Sequence, residues 1–506
     1  MHEKLLTLDR LKDVSRTFHA ARRRVVLCHG TFDLLHMGHI RHLQRARSCG
    51  DVLIVTVTAD RYVNKGPGRP VFSEQLRAES LAALACVDYV AINPAATAVN
   101  VIEAIRPSVY VKGSDYRDAQ DDVTGNIVAE QHAVERVGGT IHFTDEITFS
   151  SSRLLNEYFG VLPPETKDYL AGLKRRYQNG DIIGMLKGLE RSRVLVFGDA
   201  IVDEYHYTTA LGQTGKGNVL AVRYDARERF AGGALAVANH VAGFARAVTL
   251  VTCLGEQASY ESWIRGRLRP RITPCFFFRD DAPTVVKRRY VDGDMAKLFE
   301  VYFYNERPVP PVVENQICDW LSHHAGGFDA VIVPDFGNGL ITEKMIDVLC
   351  ETAQYLAVNT QLNSGNRGYH VITRYPRVDF VALNEPELRL AAHDKFAPLE
   401  ALAERVGETV GARHVAVTLG TRGMMFNDRC DRRHWQVPAL ATQVVDRIGA
   451  GDALLAVTGL CLAGGVPPAV AAFAGSVAAA LEVQTVCNRD SVDPVLLFKY
   501  IGTLLK

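Results

Sequence analysis

His29-Gly30-Thr31-Phe32-Asp33-Leu34-Leu35-His36-Met37-Gly38-His39 follows the apolar run VVLC and leads into the helical pattern LLHMGHIRHLQRAR. A β-rich run that ends in glycine and passes into a helix sits where α/β sheets bind ligands, at the carboxyl edge of the strands. Gly30 and Gly38 allow close backbone approach, and N–H groups at a helix start attract phosphate oxygens. His36 and His39 are three residues apart and so look from one helical face. There, imidazoles can donate hydrogen bonds to phosphates and steady charge at a phosphoryl centre under attack. Zinc is the lesser alternative, because no third soft ligand accompanies the pair.

The pattern around this segment is a regular alternation. DVLIVTVTAD, DYVAIN, SVYVKG and GTIHFT read as strands; FSEQLRAESLAAL, VNVIEAI and DDVTGNIVAEQHAVERVG read as helices between them. Short apolar runs separated by helices predict a mostly parallel sheet covered on both faces. This unit spans residues 1–160. Pro163 and Pro164 break the chain, and 161–190 reads as a polar helical connector. A second alternating unit, 191–506, opens with RVLVFGDAIVDEY. Its strand candidates include AVTLVTCLG, DAVIVPDF, QYLAVNT, FVALN and HVAVTLG, and GNVLAVRYDARERF with TVVKRRYVDG predicts a β-rich lid.

The first segment resembles the HxGH signature of the cytidylyltransferase-like nucleotidyltransferase superfamily, in its GTFDxxHxGH form. The resemblance implies that the first unit binds a nucleoside triphosphate around Gly30, Thr31 and Phe32. It further implies transfer of the nucleotidyl group to a phosphate, with release of pyrophosphate, at His36, His39 and Lys112. The likeness continues through Lys65 in NKGPGRP and through Ser151, Ser152 and Arg153, where serines can cap a helix and an arginine can clamp phosphate. Asp115 reads equally as a turn residue or as a partner for a basic side chain or a substrate hydroxyl. Arg69, Glu74 and Arg77 read as a local charge network. No side-chain base is needed, since an incoming phosphate is already nucleophilic and alignment with charge stabilisation suffices.

The second chemical segment is Val445-Asp446-Arg447-Ile448-Gly449-Ala450-Gly451-Asp452-Ala453. A loop of small residues ahead of an apolar helix can surround a transferring phosphoryl group with N–H donors. Asp452 beside it is placed to accept a proton from an attacking hydroxyl, or else to cap the helix. Asp199 and Asp203 suit sugar hydroxyls or turn caps. Gly232 and Gly233 suit a close sugar approach or a tight turn, and Asn239 a sugar hydroxyl or a buried backbone group. Lys287 and Arg289 alternate on a strand and can read a phosphate on the sugar or simply face solvent. Asn384 and Glu387 can hold magnesium-bound water or start a surface helix. Asp335 is a weaker neighbour of the transfer centre.

This segment resembles the GAGD signature of the ribokinase-like, PfkB carbohydrate-kinase family. FAGGA, Asn384-Glu385-Pro386-Glu387 and VTLGTRGM, which contains Gly420, follow in the family's order. The implied fold is α/β: an N-terminal Rossmann-like nucleotidyltransferase domain and a C-terminal ribokinase-like α/β domain with a small β-rich lid. Two departures stand out. Arg447 and Ile448 replace small polar residues before the glycines, and Asn359-Thr360-Gln361 stands where an acidic and a basic residue are expected. The combination resembles the bifunctional family of bacterial ADP-heptose synthesis with the two units in reverse order. It implies O1 phosphorylation of a heptose 7-phosphate by ATP with Mg²⁺, then nucleotidyl transfer from ATP or CTP. A CTP-dependent enzyme for another sugar or polyol phosphate, or a ligand-controlled assembly protein, is the alternative reading.

Lys plus Arg and Asp plus Glu both total 57, which disfavours a general nucleic-acid binder. Hydrophobic residues at 47% and charged residues at 23% fit a packed protein. Ten cysteines show no CxxC pair, and the charged start MHEKLLTLDR does not resemble a signal peptide. The apolar stretch ALLAVTGLCLAGGVPPAVAAFAGSVAAALEV is broken by Gly and Pro and predicts a buried helix pair, not a membrane span. A cytoplasmic location follows as the expectation. Sugar or sugar-phosphate and nucleoside triphosphates are the expected partners, without nucleic acid or membrane, and a homodimer is left open.

Overall fold

A parallel sheet whose inner strands are apolar on both faces must be covered on both sides, and such a sheet of five strands organises the first unit. They are β1 (Val25–Gly30), β2 (Val52–Thr58), β3 (Tyr89–Asn93), β4 (Val109–Gly113) and β5 (Thr140–Thr144). The computed structural model describes residues 2–63, 69–113, 126–144, 162–215, 217–366 and 368–505. Within them the chain divides into two compact units, one of Met1–Pro163 with Phe498–Lys506 and one of Pro164–Leu497.

In the first unit the strands run parallel in the order β3-β2-β1-β4-β5. Helices α2 (Met37–Arg47) and α3 (Glu74–Ala82) cover the face that carries Val26, Cys28, Leu53 and Val55. Helices α1 (Leu8–Ala20), α4 (Val99–Ile105) and α5 (Asn126–Arg136) supply residues to the opposite core around Leu27, Ile54 and Tyr110. The order reverses between β1 and β4, so a crevice opens beyond Gly30 and Gly113, the position favoured for ligands in such sheets.

The second unit has a nine-stranded sheet and a four-stranded one. The larger contains β6 (Arg193–Phe197), β9 (Ala247–Gly255), β10 (Ile272–Arg279), β13 (Ala330–Asp335), β14 (Leu356–Thr360), β15 (Phe380–Asn384), β16 (His414–Thr418), β17 (Met424–Asp428) and β18 (Arg433–Val437). Its order is β10-β9-β6-β13-β14-β15-β16-β17-β18, parallel as far as β16 and antiparallel beyond it. Its switch point lies between β6 and β13, which brings Asp199 and Asp335 to the carboxyl edge.

The smaller sheet is the lid: β7 (Ala200–Gln213), β8 (Leu220–Gly233), β11 (Val285–Val291) and β12 (Lys297–Phe303), in the order β12-β11-β7-β8. Strand alternation puts Asp203 and Tyr205 on one face and Glu204 and His206 on the other. The parallel register sets Lys287 beside Asp203 and Arg289 beside Tyr205.

The long apolar stretch near the C-terminus folds as two buried helices, Ala450–Ala463 and Pro468–Glu482. No helix among the described residues is long and apolar enough to cross a membrane. Where the sequence predicts a polar connector, residues 164–188 form two helices, Pro164–Lys174 and Asn179–Gly188, grouped with the second unit. Leu170, Leu173, Ile182 and Leu186 are buried there, so the segment has an apolar face of its own.

Candidate active sites

In the first unit the chain leaves β1 through Gly30, where an added Cβ would lie 3.1 Å from the Phe32 ring. Phe32 itself takes a left-handed backbone, φ 48°, which turns the chain back toward the helix start. Arg77, 1% exposed, secures this turn by donating to the carbonyls of Thr31 (2.5 Å), Thr58 (2.8 Å) and Phe72 (2.9 Å) and to Asp60 Oδ1 (2.6 Å). Asp60 and Glu74 exchange hydrogen bonds through their side chains and backbone N–H groups. Asp33 Oδ1 accepts from Val71 and Phe72 N–H.

The sequence predicts that helix α2 starts near Leu34, but it starts at Met37, with His36 as its N-cap. His36 Nδ1 accepts from Gly38 N–H at 3.1 Å, which leaves the proton of the neutral ring on Nε2. Burial lowers the His36 pKa and so favours that neutral form. The His36 and His39 rings stack with centroids 4.0 Å apart, and Phe32 meets His39 edge-on at 5.4 Å.

Lys112, near the end of β4, is buried and paired with Glu130 of α5 at 2.9 Å; Tyr110 donates to the same carboxylate at 3.0 Å. Its charge reaches the histidines of the crevice. His29 is pushed down to about 3 by burial and then by Lys112, and His42 to about 4 by the same two causes. Both are therefore neutral near pH 7. Lys65, Asp115, Ser151, Ser152 and Arg153 lie outside the described residues.

The second site centres on Gly449–Asp452. Gly449 has φ 93°, and a Cβ there would come within 2.2 Å of Asn488 Oδ1 and 3.0 Å of Glu482 Oε1, so only glycine fits without displacement. No side chain caps the helix that begins at Ala450, and a Cβ on Gly451 would meet nothing within 4 Å. The helix thus starts without a side-chain cap and with open space beside Gly451, an arrangement that can accept phosphate. Asp446 keeps the loop in shape by accepting from Tyr205 OH (2.5 Å), Cys487 N–H (3.1 Å) and Ile448 N–H (3.2 Å). Of the two residues that depart from the family pattern, Arg447 is exposed, and Ile448 packs against the cluster of Tyr205, Phe230 and Cys487.

Asp452 is half-buried, and its carboxyl is pushed up to about 7, first by burial, then by Asp203, against the opposing charge of Lys287. Lys287 is itself lowered by burial and feels Asp203, Asp199 and Asp452; its ammonium stands 5.1 Å from the centre of the Phe336 ring. Arg289 is bound to Asp203 and, at 3.0 Å, to Glu300. The two cations share a lid face; carboxylates hold Arg289, while Lys287 lies over the rings of Tyr302 and Phe336. A Cβ on Gly232 would meet Asp203 Oδ2 at 1.9 Å, and one on Gly233 would meet the Asp199 carbonyl at 2.4 Å. Asp199 is pushed up to about 6 by burial and by Asp335.

Four sequence candidates have structural partners that bear on their roles. Asn239 donates to the Arg267 carbonyl (3.1 Å) and accepts from Arg269 N–H (3.0 Å), so its amide bridges backbone, the second of its two readings. Asp335, fully buried, is held by Tyr375 OH (2.8 Å), His370 and Gly337 N–H (3.2 Å). Asn384 and Glu387 form a capping box at the helix Glu385–Ala391, and Glu387 Oε1 also accepts from Leu362 N–H at 3.0 Å. Gly420, φ 62°, turns the chain just past β16, beside the end of β15 that carries Asn384. Sequence reasoning missed Glu482, 2% exposed, whose Oε1 has no hydrogen-bond partner and whose carboxyl is pushed up to about 9 by burial and by Asp452. The only signal was an acid inside an apolar helix.

A Rossmann-like unit with paired histidines at a helix start, and a lidded unit with a glycine loop and an acid, define two phosphate-handling classes. Residues 191–493 match the pfkB family carbohydrate kinase description, and the chain belongs to that family. Residues 27–157 match the Cytidylyltransferase-like family. Over the N-terminal third the chain is similar to the Bifunctional protein HldE of Syntrophotalea carbinolica, 37% identical over 162 residues. That alignment covers 31% of this chain and 32% of the relative. It is also similar to the Bifunctional protein HldE of Geobacter sulfurreducens, 43% identical over 131 residues, which are 26% of each chain. The chain thus spans about a third or less of the length of these curated relatives. Among solved structures, phosphofructokinase-2 from Escherichia coli aligns with a TM-score of 0.49 and 15% identity, covering 62% of this chain and 99% of that one.

Proposed function

We propose that the protein is a bifunctional enzyme that phosphorylates a sugar phosphate at its anomeric hydroxyl with ATP and then couples the product to a nucleotide. The reading is carried by one observation: each unit presents a helix start at the carboxyl edge of its parallel sheet, accompanied by the side chains its chemistry needs. The resemblance of the joined units to the family of ADP-heptose synthesis, together with similarity of the N-terminal third to bifunctional HldE proteins, favours a heptose 7-phosphate as sugar and an ADP-heptose as product.

In the kinase unit Asp452 takes the proton from the sugar hydroxyl as oxygen attacks the γ-phosphate, and the N–H groups of Ala450 and Gly451 receive the transferring charge. Asp203 and the backbone at Gly232 and Gly233 orient the sugar. Mg²⁺ would neutralise charge on the ATP phosphates. Glu387 fits a role in holding its water shell, since its buried carboxyl has its pKa raised chiefly by desolvation, which a nearby cation would relieve. Asn384 then fixes Glu387 through the capping box. In the other unit, donors on His36 and His39 stabilise the α-phosphate of ATP or CTP while the sugar 1-phosphate attacks, and pyrophosphate leaves. Lys112, tied to Glu130, keeps the crevice positive.

The test is an incubation of purified protein with Mg²⁺, ATP or CTP and a panel of sugar phosphates, with products resolved by phosphorus NMR. ADP and a phosphorylated sugar establish the kinase, and sugar-dependent pyrophosphate establishes the transferase. ADP formed without any phosphorylated sugar would overturn the first assignment, and no sugar-dependent pyrophosphate would overturn the second.

A further inference from the structure

Beside the lid, a cavity of about 380 Å³ lies among the end of β8, the helix Ala234–Ala242 and the segments 263–269 and 488–491. Its wall carries five arginines, Arg227, Arg229, Arg267, Arg269 and Arg489, against one carboxylate, Glu228. Glu228 is engaged by Arg489 at 2.5 Å and by Tyr207 OH at 2.7 Å. Arg229 is answered by Glu204 at 2.6 Å. Among the described residues, Arg227, Arg267 and Arg269 have no carboxylate within ion-pair distance. Arg269 instead holds the Ser491 carbonyl at 3.2 Å, and Arg267 lies over the Trp263 ring at 5.7 Å. Like charges gathered around open space repel one another, and an anion at their centre removes that cost.

A second polar group lines the same space. His240 lines the cavity and is fully buried. Its Nδ1 accepts from Val492 N–H at 3.0 Å, so the neutral ring carries its proton on Nε2. Nε2 falls outside close hydrogen-bond geometry, and the polar group that acts on it is Asn488, also on the cavity wall. A buried N–H whose acceptor sits outside close geometry can take a further oxygen from the adjoining cavity.

The cavity borders the kinase centre without containing its acids. Ala231 on its wall precedes Gly232, which abuts Asp203, and Asn488 abuts Gly449 of the glycine loop. Of the lid pair Lys287 and Arg289, Arg289 is tied to Asp203 and Glu300, which leaves room for a further cation cluster to meet a phosphate. Guanidinium groups recognise phosphate through paired hydrogen bonds, and the clustered arginines match a dianion better than a carboxylate.

We propose that this arginine cavity is a binding site for a phosphate monoester. The ester is borne either by the sugar substrate, at the end remote from the reacting hydroxyl, or by a separate phosphorylated metabolite. The first source rests on the kinase reading; the site itself does not.

The probe is inorganic phosphate, titrated into the full chain by calorimetry at constant ionic strength, with R227Q/R267Q, E228Q and D452N as variants. Arg227 and Arg267 are exposed and without ion-pair partners, so their replacement spares the fold. R227Q/R267Q should bind phosphate about tenfold or more weakly, on the scale of lost charge-assisted hydrogen bonds. E228Q, which removes the one opposing charge and releases Arg489, should bind it several-fold more tightly. D452N should bind as the wild type does. Equal affinity in the wild type and R227Q/R267Q, or weaker binding in E228Q, overturns the site. Kinase assays then separate the sources. A rise in KM for the phosphorylated sugar with kcat preserved in R227Q/R267Q assigns the ester to the substrate; an unchanged KM assigns it to a separate metabolite. Because phosphate binding is read without turnover, failure of the kinase on every sugar would strike that reading and leave this one standing.

Discussion

Lowering the pH from 8 to 6 should slow the kinase half-reaction about tenfold. Asp452 must be ionised to accept a proton, and its carboxyl is pushed up to about 7 by burial and by Asp203. A group titrating there is about nine-tenths ionised at pH 8 and about one-tenth at pH 6, which gives the tenfold ratio. An unperturbed carboxylate, near 3.8, would stay ionised across that range and give a level profile. Lys287 opposes the upward push, so K287M should move the acid limb to still higher pH. The assay is the initial rate of sugar-dependent ADP formation from pH 5.5 to 9, under conditions that report kcat/KM for the sugar. A profile level from pH 6 to 8, or a limb that moves downward in K287M, would refute the assignment of Asp452 and the electrostatics behind it.

Three further outcomes follow from the same geometry. A carboxyl whose folded pKa lies above its unfolded one destabilises the fold as pH rises through the interval between them; D452N removes that burden. It should raise the melting temperature of the second unit at pH 8, by at most about 4 kcal/mol of stability, and lose the gain near pH 4. G232A drives a Cβ into the Asp203 carboxylate that Arg289 holds, so a loss of about 1–3 kcal/mol and a raised KM for the sugar are expected from melting and rate measurements. K112M strands the buried Glu130 and should cost about 3–5 kcal/mol in denaturant unfolding, while K112M/E130Q recovers most of that stability without restoring nucleotidyl transfer.

Both glycine-bearing loops could be read in the sequence because their physics is local. Gly30, His36 and His39 fall within ten residues of one another, and Gly449 to Asp452 within four; spacing alone places such groups at a helix start. The sheets were legible for the same reason, since β2, β9 and β13 are short runs rich in Val, Ile and Leu. The lid was only partly legible: β7 and β12 mix polar and apolar residues without a clean period, and their pairing is decided by partners far along the chain. Roles set by distant contacts were hidden altogether. Nothing near Lys112 announces Glu130, nothing near Asp335 announces His370 and Tyr375, and the arginines of the cavity come from three separate segments. The N-cap role of His36 was hidden for a different reason, because Leu34 and Leu35 extend the apolar periodicity past the true helix start.

The central claim is that two chemically separate phosphate-handling sites occupy one chain, and phosphorus NMR of the products made by two variants tests it most directly. With a responsive sugar phosphate, D452N should abolish sugar-dependent ADP while still releasing pyrophosphate from supplied sugar 1-phosphate and nucleoside triphosphate. H36A/H39A should do the reverse. Loss of both products in either variant while the protein stays folded, or survival of both in either one, would contradict the account.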